Sequence, residues 1–187
     1  MTTPTAVIVL AAGAGTRMKS SLPKVVHPVV GRSMIGHALH AAAGTHPDHL
    51  VAVVRHQREL VAAEILRNNP DVIIADQDDI PGTGRAVQCA LDELLRRGHS
   101  LSGTILVTYG DVPMLDADTL NALLRSHNER GATVSVLTTI VDDPTGYGRI
   151  IRDETSGDVC RIVEQKDASE AERQIREINA GIYAFDG

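Results

Sequence analysis

Short apolar runs alternate with segments of helical periodicity along most of the chain. Runs rich in β-branched residues predict strands at 6–10, 49–54, 72–75, 104–108 and 132–141. Apolar residues three and four positions apart predict helices at 31–44, 56–68, 83–97 and 117–130. The apolar face of the helix at 83–97 consists of Ala86, Val87, Ala90, Leu91, Leu94 and Leu95. This alternation indicates an α/β fold, doubly wound around a mostly parallel, Rossmann-like sheet.

Both ends of the first predicted helix, and the C-terminal part of the chain, contain residues typical of helix caps and turns. Ser33 is a candidate N-cap for the helix at 31–44, and Gly44 is a candidate end. After residue 142 the sequences GRIIRD and DVCRIVEQK, joined by a TSG turn, predict a β-hairpin. A short helix should follow, capped by either the Asp167–Glu170 or the Ser169–Glu172 pair. INAGIYAFDG then predicts a final strand, and a core strand so close to Gly187 leads us to expect that further chain belongs to this domain.

The loop after the first strand has the composition of a phosphate-binding turn. Gly13 and Gly15 allow a tight bend with exposed N–H groups, and the cations Arg17 and Lys24 follow closely. It is not a dinucleotide fingerprint, because Met18 stands where the third glycine should be and no acidic residue ends a strand about 20 residues on. It is not a Walker A loop either, because no GK[ST] follows. A glycine-rich turn alone would explain the two glycines, whereas the added cations favour phosphate.

Two further clusters follow predicted strands. QDDIPGTGR at 77–85 places Gln77, which has both a donor and an acceptor, before Gly82 and Thr83. Taken alone, that segment is explained by a strand-to-helix turn with Thr83 as the N-cap. Asp111, in YGDVP, lies at the carboxyl end of the fourth strand, where open α/β sheets bind ligands. A carboxylate there suits Mg²⁺, which usually takes one or two carboxylates together with substrate phosphates.

Composition narrows the class of protein. The net charge of −6 argues against a general nucleic-acid binder, and an aromatic content of 2% offers no stacking platform for bases. No segment reaches the length of a membrane span, the N-terminus does not resemble a signal peptide, and Cys89 and Cys160 form no CxxC pair. We therefore expect a cytoplasmic protein without membrane or nucleic-acid partners. The pairs His37/His40 and His46/His49 have spacing that could seat a metal, but surface or core histidines are the favoured interpretation.

The motifs together resemble one enzyme family. LAAGAGTRM followed by SLPK is similar to the opening of sugar-nucleotide pyrophosphorylases. The matches GTGRAV (82–87), YGDVPML (109–115), GYGRI (146–150), IVEQKDAS (162–169) and INAGIYAF (178–185) narrow the resemblance. They are similar to the N-terminal uridyltransferase domain of bacterial bifunctional N-acetylglucosamine-1-phosphate uridyltransferase/glucosamine-1-phosphate acetyltransferases. The resemblance covers nearly the whole of residues 1–187, as one nucleotidyltransferase domain that we expect to be truncated at its C-terminus.

The resemblance implies a Mg²⁺-dependent reaction of UTP with N-acetylglucosamine 1-phosphate, which gives UDP-N-acetylglucosamine and pyrophosphate. It assigns Arg17 and Lys24 to the phosphates and Asp111 to the metal, as the catalytic residues. The nucleotide-binding residues it implies are Leu10, Ala11, Ala12, Gly13, Lys24, Gln77, Gly82, Thr83, Tyr109 and Gly110. The sugar-binding residues it implies are Gly148, Glu164 and Asn179. A second metal ligand, a left-handed β-helix acetyltransferase domain and assembly as a homotrimer through that domain would lie downstream of Gly187.

One residue departs from the family pattern, and two other functions stay open. Arg85 stands where the family usually has His; it either adds a permanent cation near the phosphates or faces solvent, and solvent is the favoured interpretation. A pyrophosphorylase for another sugar phosphate or nucleotide would share the first loop and Asp111. A non-catalytic nucleotide sensor on the same fold would bind UTP without releasing pyrophosphate.

Overall fold

The computed structural model describes residues 3–15 and 18–187. Their chain divides into two compact units. The first comprises the described residues up to Ser135 together with Tyr183–Gly187, and the second is Val136–Ile182. Strands β7 (Val134–Ile140) and β10 (Glu177–Asp186) contribute residues to both units.

A mostly parallel sheet forms the centre of the first unit. Its strand order is β5 (Ile73–Asp76), β4 (His49–Val54), β1 (Ala6–Leu10), β6 (Thr104–Tyr109) and then the last residues of β10. The pairs β1–β4, β1–β6 and β4–β5 are parallel, whereas β10 runs antiparallel to β6. Leu10 is in register with both Val53 and Tyr109. Three strands therefore end at one edge, and this edge carries the candidate site.

Burial explains why β1 is an uninterrupted apolar run. Ala6, Ile8 and Leu10 pack with residues of α3 (Thr83–Arg96) in one core cluster. Val7 and Val9 point to the opposite face and are 0% exposed. A strand buried on both faces has no position for a polar residue, as predicted for a doubly wound sheet.

The remaining helices of the first unit are α1 (Met34–Ala43), α2 (Arg58–Asn68) and α4 (Ala117–Arg130). The Ser33 hydroxyl accepts from the Gly36 N–H and caps α1, and Gly44 ends it, as predicted. Asp116 caps α4, and Gly131 ends that helix with φ +57°. The helix predicted to start near residue 31 starts at Met34, because β2 (Pro28–Val29) and β3 (Arg32–Ser33) form a small hairpin before it.

Two predictions about α3 were wrong. Thr83 is its first residue, and the N-cap is Gly82, which has φ +120° and no side chain to cap with. Leu95 is 54% exposed, whereas Ala86, Ala90 and Leu94 are buried and Val87 and Leu91 pack partly buried against the same core. The predicted apolar face is therefore confirmed except at Leu95.

The second unit is built on an antiparallel hairpin of β8 (Arg149–Arg152) and β9 (Val159–Val163). Within this unit β10 pairs with β8 through Ile178 and Arg149. The short helix α5 (Glu170–Arg173) begins at Ser169, whose hydroxyl accepts from the Glu172 N–H while the Glu172 carboxylate accepts from the Ser169 N–H. Of the two capping boxes predicted, the structure therefore forms the second. Among the residues described, no helix is long and apolar enough to cross a bilayer.

Candidate active site

A cleft of about 670 Å³ opens at the carboxyl edge of the parallel strands in the first unit. Ten residues predicted from the sequence line this one cavity. They are Leu10, Ala11, Ala12, Gly13, Lys24, Gln77, Gly82, Thr83, Tyr109 and Asp111. The first and last of them, Leu10 and Asp111, are far apart in the sequence, and the common end of β1, β5 and β6 brings them together. A cavity of this volume matches the size of sites that bind small ligands.

The loop after β1 is shaped by a close backbone approach. The Ala11 N–H donates to the Val53 carbonyl at 2.9 Å and fixes where the loop leaves the sheet. Gly15 has φ +61°, and a Cβ on it would lie 2.8 Å from the Lys24 Cβ. Only glycine therefore lets the loop pass so close to Lys24. A Cβ at Gly13 would meet nothing within 4 Å, so the space beside Gly13 is open to a ligand. The predicted phosphate-binding Arg17 lies outside the described residues.

Lys24 and Asp111 form an ion pair across the cleft. Lys24 Nζ donates to Asp111 Oδ2 at 2.6 Å, and the two side chains are 36% and 33% exposed. Lys24 starts a short 3-10 turn over Lys24–Val26, and Asp111 directly follows Gly110 at the end of β6. The contact uses one carboxylate oxygen only. The structure thus places a fixed cation beside a partly exposed carboxylate at the wall of the cavity.

Gly110 packs against the core beside Asp111 and is not among the described residues that line the cleft. Its N–H donates to the Leu10 carbonyl at 2.9 Å. A Cβ at this position would lie 2.6 Å from Ile35 Cδ1, in the packed core under the sheet edge. The small residue therefore allows β1, α1 and the Asp111 turn to meet.

The loop after β5 is closed by the side chain of Gln77. Its Nε2 donates to the carbonyls of Ile80 and Gly82, at 3.0 and 3.2 Å. Both partners are acceptors, so the amide nitrogen faces them and Oε1 remains as an acceptor. The N–H of Gln77 donates to the Val54 carbonyl at 2.9 Å. Gln77 is therefore held rigidly, with one type of hydrogen-bonding atom left to offer a ligand.

Arg85, which we expected to face solvent, is 33% exposed and also pairs with Asp78. Its Nε and Nη2 donate to Asp78 Oδ2 at 2.9 and 2.5 Å. This hydrogen bonding from Arg85 lowers the pKa of the Asp78 carboxyl below its ordinary value. The sequence did not predict this pairing, in which Arg85 in the first turn of α3 bonds to the loop that precedes the helix. These two hydrogen bonds hold Asp78, and with it the loop that carries Gln77.

Several residues of the cleft were missed by sequence reasoning. They are Met18, Val25, Arg55, His56, Pro81 and Ala86. Arg55 and His56 directly follow β4, which lies between β1 and β5. The signal that would have found them is this position, because parallel neighbours end at the same edge. Arg55 Nη2 contacts the Asp79 carbonyl and carboxylate at 3.4 and 3.5 Å, which are long contacts.

The described residues contain no group of three or more metal-ligating side chains. In the predicted histidine pairs, His37 bonds the Val29 carbonyl at 2.8 Å and His49 stacks on His99, with ring centroids 3.9 Å apart. Asp111 is thus the carboxylate that the cleft presents, and its Oδ1 is not used by Lys24. One carboxylate oxygen in an open cleft fits an ion that completes its coordination with water and phosphate oxygens.

In the second unit, the three residues predicted to bind a sugar lie near one another. The Asn179 N–H donates to the Gly148 carbonyl at 2.9 Å. A Cβ on Gly148 would lie 3.2 Å from Glu164 Oε1, so that carboxylate borders the glycine. Glu164 is exposed, Asn179 is half-buried, and Gly148 is buried. Their roles stay predictions, and what the structure shows is a carboxylate and an amide at the start of the β8–β9 hairpin.

Comparison with known proteins gives consistent matches. Relatives named "Bifunctional protein GlmU" are 56% identical over 183 residues in Kineococcus radiotolerans and 57% identical over 183 residues in Paenarthrobacter aurescens. A third, from Streptomyces coelicolor, is 53% identical over 184 residues. These alignments cover 98% of this chain in each case, but only 36%, 36% and 38% of the relatives. The chain therefore spans little more than a third of their length, and the predicted resemblance to their N-terminal part is confirmed.

The fold and the family agree with this result. A crystal structure of a protein assigned as a glucose-1-phosphate thymidylyltransferase from Bacillus anthracis matches with a TM-score of 0.74 and 18% identity. The match covers 97% of this chain and 71% of that one, and it supports the nucleotidyltransferase type of α/β fold. The family model of the MobA-like NTP transferase domain matches residues 7–170. The chain belongs to the MobA-like NTP transferase family.

Proposed function

We propose that this chain transfers a uridylyl group from UTP to N-acetylglucosamine 1-phosphate, giving UDP-N-acetylglucosamine and pyrophosphate. The observation that carries the proposal is the cleft in which Lys24, Asp111 and the glycine loop meet. Its support from relatives is the 53–57% identity to proteins named bifunctional GlmU. The class of reaction follows from the NTP transferase family, and the choice of UTP and of this sugar rests on the motif resemblance.

The nucleotide would occupy the cleft of the first unit. The open space beside Gly13 would receive the phosphates, with Lys24 and the predicted Arg17 as counter-charges. Gln77 would meet the base with its Oε1, which is an acceptor and can take a hydrogen bond from the N3–H of uracil. Cytosine has an unprotonated N3, so the same contact would be repulsive. Tyr109, Thr83 and Gly82 would line the remaining wall.

The reaction would be an in-line displacement without a side-chain nucleophile. An oxygen of the sugar 1-phosphate attacks the α-phosphorus of UTP, a new P–O bond forms, and the bond to the β-phosphate breaks so that pyrophosphate leaves. Both reactants are anionic, so the fixed cation of Lys24 stabilises charge that gathers on the transferred and leaving groups. Holding the two reactants in line supplies much of the remaining acceleration.

Asp111 would hold a Mg²⁺ ion through the carboxylate oxygen that Lys24 leaves unused. When bound, the ion would neutralise phosphate charge and polarise the phosphorus centre. Lys24 would stay against Oδ2 and keep the carboxylate in one orientation. A second ligand downstream of Gly187 remains part of the proposal.

The sugar would be bound by Gly148, Glu164 and Asn179 of the second unit. A carboxylate accepts hydrogen bonds from sugar hydroxyls, and an amide both donates and accepts. By the same resemblance, the whole protein would also acetylate glucosamine 1-phosphate with a β-helix domain, assemble as a homotrimer and act in the cytoplasm, where its product would serve cell-envelope synthesis.

The test is pyrophosphate release by the full-length protein with UTP, Mg²⁺ and N-acetylglucosamine 1-phosphate. We expect release that needs all three, with CTP and other sugar 1-phosphates much poorer. Faster turnover with another pair would redirect the proposal to a different pyrophosphorylase. Tight UTP binding without release under any pairing would instead identify a nucleotide sensor.

A further inference from the structure

Arg149 is a buried cation that forms no salt bridge with any residue that the structure describes. It is 1% exposed, and the carboxylate that interacts with it electrostatically, Asp143, does so from beyond ion-pair distance. Its Nε is also buried without a hydrogen-bond partner. Burying an unpaired charge is costly, and an apolar residue of similar volume would usually be neutral or stabilising. Folding stability therefore does not explain why an arginine occupies this position.

The guanidinium bridges two segments of the second unit. Nη1 donates to the carbonyl of Tyr147, and Nη2 donates to Gln165 Oε1 at 2.6 Å. The same Oε1 accepts from the Gly146 N–H at 3.2 Å. Gln165 therefore receives bonds both from the loop before β8 and from Arg149 at its first position. One side-chain oxygen and one guanidinium fix this loop to the segment that follows β9.

The two fastened segments carry the residues proposed to bind the sugar. Gly148 lies between Tyr147 and Arg149, and Glu164 directly precedes Gln165. The Gly148 carbonyl accepts from the Asn179 N–H, which ties the third residue to the same place. Glu164 is exposed, and its own backbone is joined to the described structure through the N–H of Asp167 on its carbonyl. Its direction therefore depends on the position of the neighbouring Gln165.

We propose that Arg149 is a positioning residue for the sugar subsite, acting through Gln165. It holds the backbone of Gly148 and the start of the Glu164 side chain at the spacing that the sugar requires. This inference rests on the proposed sugar-binding role of the second unit. It goes beyond it by assigning a function to a pair of residues that make no contact with substrate.

The first test asks whether Arg149 and Gln165 together hold the loop before β8, an arrangement that we call the clamp. This test needs no substrate. We expect amide hydrogen exchange at Gly146–Gly148 to speed up by about tenfold or more in Arg149→Met and in Gln165→Leu, because each variant loses two anchoring hydrogen bonds. Arg152→Met is the matched control. It lies on the same strand but pairs with Glu177 at 2.6 Å, and it should leave the exchange of this loop unchanged. Unchanged exchange in both clamp variants would overturn the proposal.

The second test asks whether the clamp serves the sugar. In full-length protein, Gln165→Leu should raise the KM for the sugar 1-phosphate by about tenfold and leave the KM for UTP within about twofold. Gln165→Glu keeps an acceptor for both bonds and should restore the sugar KM, a rescue that a merely structural role would not show. Equal rises in both KM values, or no rise for the sugar, would contradict a positioning role. If the wild-type protein uses no sugar 1-phosphate at all, the proposed function fails, and the exchange experiment alone decides the clamp.

Discussion

The Lys24–Asp111 pair should matter far more for turnover than for folding. Replacing Asp111 by Asn keeps the shape of the side chain and removes its charge. Replacing Lys24 by Met keeps most of its length and removes the ammonium group. Each change removes one of the two charges that meet in the 2.6 Å contact between Nζ and Oδ2. Measuring both variants compares the contribution of the ion pair to folding stability with the contribution of each charge to turnover.

The structure sets the size of the stability effect. Both side chains are about one-third exposed, at 36% and 33%, so solvent screens their attraction. Ion pairs of this kind contribute ~0.2–1 kcal/mol to the free energy of unfolding. Removing one preorganised group that stabilises charge in a transition state typically costs about 100- to 1,000-fold in kcat, or ~2.7–4 kcal/mol. The kinetic effect should therefore exceed the stability effect several times over.

The assay pairs pyrophosphate release with urea unfolding for the same preparations. Asp71→Asn is the matched control for the carboxylate, because Asp71 is exposed and lies outside the helices and strands. Lys166→Met, on an exposed residue of the second unit, is the control for the lysine. We expect both controls to keep turnover and stability. Near wild-type turnover in Asp111→Asn, or a loss of turnover matched by an equal loss of unfolding free energy, would refute the reasoning.

Three further predictions test the fold and the nucleotide loop. Hydrogen bonding from Arg96, and then from a second arginine, lowers the pKa of the Glu93 carboxyl to about 2. Glu93→Gln should therefore lower the unfolding free energy by ~1 kcal/mol at neutral pH. Because the folded pKa lies below the unfolded one, that difference should vanish as the pH falls from about 4.5 to about 2 in urea titrations, and a pH-independent difference would contradict the pairing. Gly110→Ala should lower stability by ~1–3 kcal/mol, since its Cβ would meet Ile35 Cδ1 at 2.6 Å, whereas Gly84→Ala meets nothing within 4 Å and should be neutral or stabilising in thermal melts. Gln77→Glu cannot donate to the two carbonyls of its loop, so the KM for UTP should rise by about tenfold, and an unchanged KM would remove Gln77 from base recognition.

The sequence predicts the elements of this protein wherever local chemistry and burial agree. The run at Ala6–Leu10 is apolar because both faces of β1 are covered, so its pattern admits a strand only. Ser33 and Gly44 mark helix ends through bonds within a few residues of each, and the structure forms both caps. The Ser169–Glu172 capping box is equally local and is present. Such features need no knowledge of distant residues.

The sequence fails where the role of a side chain depends on a partner that periodicity does not specify. Arg85 stays one-third exposed on its helix, yet it also donates to Asp78, seven residues earlier. Arg55 enters the cleft only because β4 is placed between β1 and β5, a strand order that local patterns do not encode. The donors of Gln77 are consumed inside its own loop, whereas its sequence suggests a residue free to donate and accept. In each case the partner, not the residue, decides the role.

Because the chain divides into two units, the proposed sugar-binding and nucleotide-binding residues can be tested separately. The cleft, including Lys24 and Asp111, is built entirely from residues of the first unit. Gly148, Glu164 and Asn179 all belong to the second. Since Glu164 belongs to the second unit and the residues that line the nucleotide cleft belong to the first, a Glu164→Gln variant should change the KM for the sugar and leave UTP binding as it is. Calorimetric titration of UTP into that variant checks this separation, and a matching loss of UTP affinity would mean that the carboxylate serves the nucleotide instead.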